Sequence, residues 1–314
     1  MLHLRVTVPS DRASAVHDHL RHTPGVAHLA HLPGASTHPP GDLVLCDLAR
    51  ESADGAVSWL LAQGLDRDGA IAIDPIGTVV SDHARRAERM APGHGSDALV
   101  WEELEARARE DVVSTPSTLV LMAVAGMIAG IGILLDSPLL VVGAMIVGTE
   151  YGPIAAVCVA LVRRRWAAAG WAVCSVGASL GVAALATGVL TVLLRATSIA
   201  PDAYDVSDRQ LTAFISQPDA LSTVVAVLAG VAGMLSLTEG RPSAMVGVLV
   251  SVTTVPAAAN VGLAAAYGAG AEVRGAAVQL LLNVAGLLVA GVVTLLVQSH
   301  LTTRLPTPPT GDRA

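Results

Sequence analysis

The sequence predicts an α-helical polytopic membrane domain of six spans, a 3+3 inverted repeat, preceded by an α+β domain of ferredoxin-like βαββαβ order. Three observations predict it. The chain of 314 residues is 53% hydrophobic with a mean hydropathy of +0.60, values of the membrane class. Charge is concentrated before residue 116, and long runs of Ala, Val, Leu and Gly follow Ser117. Two apolar stretches, Pro138 to Val162 and Pro242 to Ala265, read as copies of one another.

The first domain is assigned to residues 1–82. Leu2, Leu4, Val6 and Val8 alternate with His3, Arg5 and Thr7, the period of a half-buried strand. A helical stretch from Ser10 to His22 follows, then a strand from Val26 to Leu32 and a Pro/Gly turn region. Leu43 to Leu48 reads as a strand, Ser52 to Gln63 as a helix, and Ala70 to Val80 as the last strand. The order βαββαβ implies one sheet with two helices on one face.

Histidines at 17, 19, 22, 28, 31 and 38 crowd this domain. Imidazole is a common metal ligand, but only His19 and His22 share a helix face and no Cys or carboxylate completes a pattern. They read as solvated surface residues, and no metal or cofactor is expected. Cys46, Cys158 and Cys174 are too scattered for a disulfide framework and read as small buried hydrophobes. All 19 basic residues are Arg, which reads as a composition bias. The net charge of -7 leaves no basic surface for nucleic acid.

Residues 83–116 are read as linker and connector. Arg85 to Gly95 is rich in Ala, Arg, Gly and Pro, and a charged helix follows through Trp101, Leu104, Ala108 and Val112, its acids early at Glu102, Glu103 and Glu105. Six spans are placed in residues 117–299, namely Thr118–Leu135, Leu139–Val162, Ala167–Leu194, Leu221–Leu237, Ala244–Tyr267 and Ala276–Gln298, ahead of a tail at 300–314. Arg163, Arg164, Arg165, Arg241, Arg304 and Arg313 fall on one side and Asp136, Asp202, Asp205, Asp208 and Asp219 on the other. The positive-inside rule then puts both termini in the cytoplasm, consistent with the lack of a signal-peptide core in the first 30 residues. Leu211, Phe214 and Ile215 suggest a short amphipathic helix at the outer interface.

A shift of about 104 positions lays Ala125-Gly126 on Ala229-Gly230, Pro138 on Pro242, Gly143 on Gly247, Thr149 on Thr253 and Ser179 on Asn283; Pro153 meets Pro256 after a one-residue slip. Three spans per half make the halves inverted. The second span is interrupted by Gly148, Thr149, Glu150, Gly152 and Pro153, and such a break survives in a bilayer only when buried in protein or lining a wet cavity. Broken helices at matching places in inverted repeats point to a midplane binding site. An acid at that depth costs on the order of 3 kcal/mol on insertion scales, so Glu150 is expected to face a cavity, a partner or a bound cation, or else to be protonated.

The candidate substrate or ion site is therefore Thr149, Glu150, Gly152 and Pro153 from the first half, with Thr253, Thr254, Pro256, Asn260 and Asn283 from the second; Gln279 lies one turn from Asn283. Gly126 with Gly130 and Gly177 with Gly181 have the spacing for close helix approach. No phosphate loop, nucleophile elbow, paired carboxylates or HExxH is present, so the chain does not read as an enzyme.

The runs DSPLLVVGAMIVGTEYGPI from Asp136, AGVAGMLSLTEGRPSAMVGVLVSVTTVPAAANVGLA from Ala229, and the span containing Asn283 resemble the uncharacterised hydrophobic domain, domain-of-unknown-function family 389. The resemblance covers roughly residues 117 to 298 and implies a soluble N-terminal domain on a multi-span membrane domain, with no established activity. Members are similar in carrying Pro-Leu where this chain has Thr149-Glu150 and a double proline where it has Pro256-Ala257, so Glu150 inherits no family-wide role. The expected function is a transporter or channel for a small polar solute or ion, in a homo-oligomer within the lipid bilayer of the bacterial cytoplasmic membrane. The alternative is a non-transporting oligomeric receptor or scaffold whose cytosolic domain binds a ligand or partner.

Overall fold

The structure, a computed structural model, describes residues 1–91, 100–113, 115–201, 211–239 and 254–304, with side chains as far as Leu301. The chain forms two compact units, Met1–Leu104 with Val297–Ala314, and Glu105–Leu296.

In the first unit the elements are β1 Leu2–Val8, α1 Ala13–His22, β2 Val26–Thr37, β3 Pro40–Leu48, α2 Arg50–Ala62, the single turn α3 Leu65–Asp68, β4 Ala70–Pro75 and α4 Asp82–Met90. The four strands form an antiparallel sheet in the order β2-β3-β1-β4. The expected βαββαβ order is therefore present. Alternation decides the core: Leu2, Leu4, Val6 and Val8 are buried, and Leu4 stands opposite Cys46 on one side and Ile73 on the other. Val16 and Leu20 of α1 and Val57 and Leu60 of α2 close over them. Leu4→Ala removes a fully buried side chain and should cost about 2–5 kcal/mol, visible as lost hydrogen-exchange protection across β1, β3 and β4. Full protection of those strands in the variant would contradict this packing.

Three boundaries differ from the sequence reading. The Pro/Gly region after Leu32 continues β2 as far as Thr37, through a register shift between Leu32 and Ser36. Because β2 is an edge strand, Pro33 needs no ladder donor and Gly34 adopts φ +64° at the irregularity. Strand β4 stops at Pro75 instead of Val80 because its partner β1 begins opposite it at Leu2. The stretch read as linker contains α4, whose N-cap Ser81 accepts from the Ala84 amide and which buries Ala84 and Ala87.

The histidines are more engaged than a solvated surface implies. Asp47 contacts His3 and His28, His31 contacts Asp42, and His19 stacks on Trp59 at 3.8 Å. Among the described residues no three His, Cys, Asp or Glu are grouped to hold a metal. Cys46 is buried as expected, and burial pushes its thiol up to about 12. Cys174, by contrast, is exposed, on the outward face of the long apolar helix Trp166–Ala196.

Asp42 carries the clearest titration. Its carboxylate accepts from the Ser10 hydroxyl (2.6 Å) and the Gly34 amide (3.0 Å) and contacts His31 (2.7 Å), which together hold it at about 2 against an ordinary 3.8. A depressed acid stabilises the fold above its unfolded value and loses that contribution as pH falls through the folded one. The unit should thus become pepsin-sensitive as pH drops from about 4 to about 2. Asp42→Asn should already be weaker at neutral pH, the two proteins converging below about pH 2; an unchanged difference across that window would exclude the mechanism.

The second unit is helical. It contains the C-terminal half of α5 Trp101–Val112, then α6 Pro116–Leu134, α7 Pro138–Val147, α8 Tyr151–Val162, α9 Trp166–Ala196, a 3₁₀ turn Ala213–Ile215, α10 Ala220–Thr238, α11 Thr254–Ala266 and most of α12 Gly270–Arg304. The starts follow local chemistry. Thr115 caps α6 by accepting from the Thr118 amide, Asp219 caps α10 through Ser222, and prolines open α6 and α7, where a missing N–H costs nothing. Among the described residues four helices, α6, α9, α10 and α12, are long and apolar enough to cross a membrane, and the pair α7 and α8, bent by 54°, makes a fifth if it counts as one span. The span expected at Ala244–Tyr267 is described only from Thr254, as the 13-residue α11.

Ala108 and Val112 of α5 pack on Ala156, Val157 and Ala172, so this half of the connector is docked on α8 and α9. In the described part of the outer segment Ala213–Ile215 form a 3₁₀ turn: Asp136 accepts from the Leu211 and Thr212 amides and the Thr212 hydroxyl, and Ile215 is driven into a core with Ile133, Val141 and Met145.

Glycines set the helix crossings. A Cβ on Gly126 would lie 2.6 Å from the Ala183 carbonyl oxygen, and one on Gly130 would strike Thr187. Gly177 and Gly181 meet nothing within 4 Å in this chain. Only the first of the two spaced pairs therefore makes a close crossing within the described chain.

Candidate functional site

The break between α7 and α8 positions the site. Helix α7 ends at Gly148, and the backbone runs through Thr149 and Glu150 before α8 starts at Tyr151. The Thr149 amide, released from helical pairing, reaches the Met122 sulfur at 3.3 Å, a weak acceptor. Pro153 occupies the first turn of α8, where no intrahelical partner awaits its N–H. Pro256 is the third residue of α11 as described.

Glu150 occupies the N-cap position of α8 but does not cap it with its side chain. The carboxylate turns back over Gly148, where any Cβ would lie 2.5 Å from Oε2 and 2.8 Å from Val255. Thr254 donates its hydroxyl to Glu150 Oε1 at 2.7 Å. Both residues are buried, Glu150 at 2% exposure and Thr254 at 1%. Glu150 Oε2 has no hydrogen-bond partner among the described residues. A buried charge needs pairing as well as hydrogen bonding, and among the described residues this oxygen has neither.

The other candidates take different places. Gly152 lies under Asp111, whose carboxyl carbon would be 2.7 Å from a Cβ there. Thr149 and Pro153 line a small pocket of about 20 Å³ with Asp111, Thr118, Met122, Ser175 and Ser179. Burial raises the Asp111 carboxyl above its ordinary value, helped by Glu110. Asn260 is buried on α11, and Asn283 on α12 accepts from Gln279 at 3.3 Å. Thr253 lies outside the described residues. The structure thus joins Glu150 to Thr254 directly and places Thr149, Gly152 and Pro153 beside a polar pocket.

Sequence reasoning missed Asp111, Met122, Ser175 and Tyr151. Ser175 carried a signal, since it stands 104 positions before Gln279. Tyr151 is buried, with its hydroxyl packed where a Cβ on Gly233 would be, and nothing in one sequence pairs those two.

Several contacts recur at one spacing. Glu150 and Thr254 are 104 positions apart. Gly126 crosses Ala183, and Gly230 crosses Leu287, with 230 for 126 and 287 for 183. Gly262 meets the Ala184 carbonyl, while the Cys158 thiol approaches the Leu288 carbonyl at 3.7 Å, again 104 apart at both ends.

Residues 145–289 match the family model of a domain of unknown function, DUF389. The matched segment opens inside α7, includes the break with Glu150 and Thr254, and ends within α12. No curated protein and no solved structure matches the chain.

Proposed function

We propose that the protein is an integral membrane transporter or channel for a small cation or polar solute, with its site at the α7–α8 break. One observation carries the reading: a fully buried glutamate at a helix break, one oxygen on Thr254 and the other without a partner among the described residues. A carboxylate so placed binds a proton or small cation at Oε2, and intramembrane acids of this kind mark ion and substrate paths.

The proposal includes six spans in a 3+3 inverted repeat, counting the broken α7–α8 pair and the span that ends in α11. The recurring contacts support it, because an inverted repeat duplicates every contact at a constant offset. A residue that touches its own counterpart lies on the pseudo-two-fold axis, and Glu150 with Thr254 is such a pair. Ser175 with Gln279 and Ser179 with Asn283 are further polar pairs at the same offset, all four buried. In this arrangement both termini and the ferredoxin-like domain are cytoplasmic, the Arg163–Arg165 turn is on that side, and the chain assembles as a homo-oligomer. The test is flux through the purified chain in vesicles, native against Glu150→Gln, with protons and a panel of monovalent and divalent cations as probes.

A further inference from the structure

A second feature lies apart from the break. A cleft of about 280 Å³ opens between α5, α8 and α9. Its walls are apolar, with Val112 and Val113 on one side and Val159 and Trp171 on the other. Its rim is charged. Glu105, with a side chain only 10% exposed, binds Arg163 Nε and Arg165 Nη1, each at 2.7 Å, and Arg109 Nη2 at 3.4 Å. One carboxylate faces three guanidiniums, and these four are the charged residues of the lining.

Within that lining the guanidiniums outnumber the carboxylate by two. A guanidinium offers five N–H donors in a fixed fork, and Arg109 and Arg165 each meet Glu105 through one nitrogen. Arg163 and Arg165 close the turn between α8, the second arm of the bent pair, and α9, whose apolar length suits a bilayer. Trp171 and Val113 stay 70% and 59% exposed on the apolar wall. A tryptophan below a ring of arginines is the profile of a membrane interface, and basic pockets between membrane helices suit anionic headgroups.

We propose that this cleft binds one anionic phospholipid. Its phosphate is held by Arg163, Arg165 and Arg109, and an acyl chain lies along Val112, Val159 and Trp171. The charge excess disfavours a zwitterionic lipid, whose headgroup cation would meet the same arginines. The apolar wall disfavours a free inorganic anion, which would leave it uncovered. Helix α5 supplies one wall, so an occupied cleft ties the connector to α8 and α9.

The test uses the full chain in nanodiscs of equal phosphatidylglycerol and phosphatidylcholine, with the retained lipid read by native mass spectrometry. Phosphatidylglycerol should be enriched in the native protein. Because Arg163 and Arg165 also neutralise Glu105, the informative variant is Glu105→Gln, Arg163→Gln, Arg165→Gln together, which leaves no buried unpaired carboxylate. The rim then carries one net positive charge fewer, and the variant should lose about fivefold in preference. Glu105→Gln alone frees the guanidiniums and should raise the preference, while Trp171→Ala should weaken retention of both lipids without changing their ratio. Equal retention of the two lipids by the native protein would overturn the proposal, as would an unchanged ratio in the triple variant. Displacement of phosphatidylglycerol by inorganic phosphate alone would overturn it in favour of a free anion, and a Trp171→Cys cross-link between two copies would assign the cleft to self-association.

Discussion

Glu150→Gln should abolish most cation or proton flux, by about 10-fold to 100-fold, while the protein still folds and reaches the membrane. The amide oxygen of Gln keeps the acceptor for the Thr254 hydroxyl, now at 2.7 Å, so the helix junction stays tied. The change converts Oε2, unpartnered among the described residues, from an acceptor into a fixed N–H₂ donor that neither titrates nor binds a cation. Binding through that oxygen is lost, and with it any pH dependence of flux that the acid imposes. Thr254→Val separates the two roles. It removes a buried hydrogen bond to a carboxylate and should cost about 1.5–3 kcal/mol in stability, but it leaves the titratable group in place. Flux that is the same in native and Glu150→Gln vesicles, across protons and the cation panel, would reject the site. Complete absence of flux in the native protein would reject transport itself and favour a receptor or scaffold.

The second large effect concerns packing. Gly126→Leu should destabilise the membrane unit by about 3 kcal/mol or more. A Cβ at this position would stand 2.6 Å from the Ala183 carbonyl oxygen and 2.9 Å from its Cα, and backbone cannot swing aside as a flexible side chain can. Helices α6 and α9 would have to separate. Gly230→Leu meets the Leu287 backbone in the corresponding way and should cost a similar amount, as the repeat proposal requires. Gly177→Leu and Gly181→Leu, with nothing within 4 Å, should leave thermal stability in detergent almost unchanged. If all four behave alike, close backbone approach is not what fixes these crossings. If Gly126→Leu is severe and Gly230→Leu silent, the two halves are not packed equivalently. A loss of oligomer with Gly177→Leu, at unchanged monomer stability, would place a subunit contact on that open face of α9.

Much of this protein is local in origin and was legible in the sequence. Alternation of Leu2, Leu4, Val6 and Val8 fixed the buried face of β1 because the strand period is two. The apolar lengths of α6, α9, α10 and α12 follow from composition alone. The helix break was legible too, since Gly148, Thr149 and Pro153 cannot continue a helix without cost. Even the 104-residue offset could be read by laying the chain on itself.

What the chain brings together across long separations was decided only by tertiary structure. Glu150 was identified as expensive, but one sequence could not say that it bonds to Thr254, because a side chain chooses its partner by where two helices cross. The same holds for Tyr151 against Gly233 and for Asp111 above Gly152, contacts that carry no local pattern. The arginines at 163 and 165 were read as a topological signal, since charge count alone predicts sidedness. Their convergence with Arg109 on Glu105 depends on α5 docking against α8 and α9, through the thin stripe of Ala108 and Val112. Sequence determines which residues are costly to bury. The fold decides which of those costs are met by a partner, as Thr254 meets Glu150 Oε1, and which are not met among the described residues, as at Oε2.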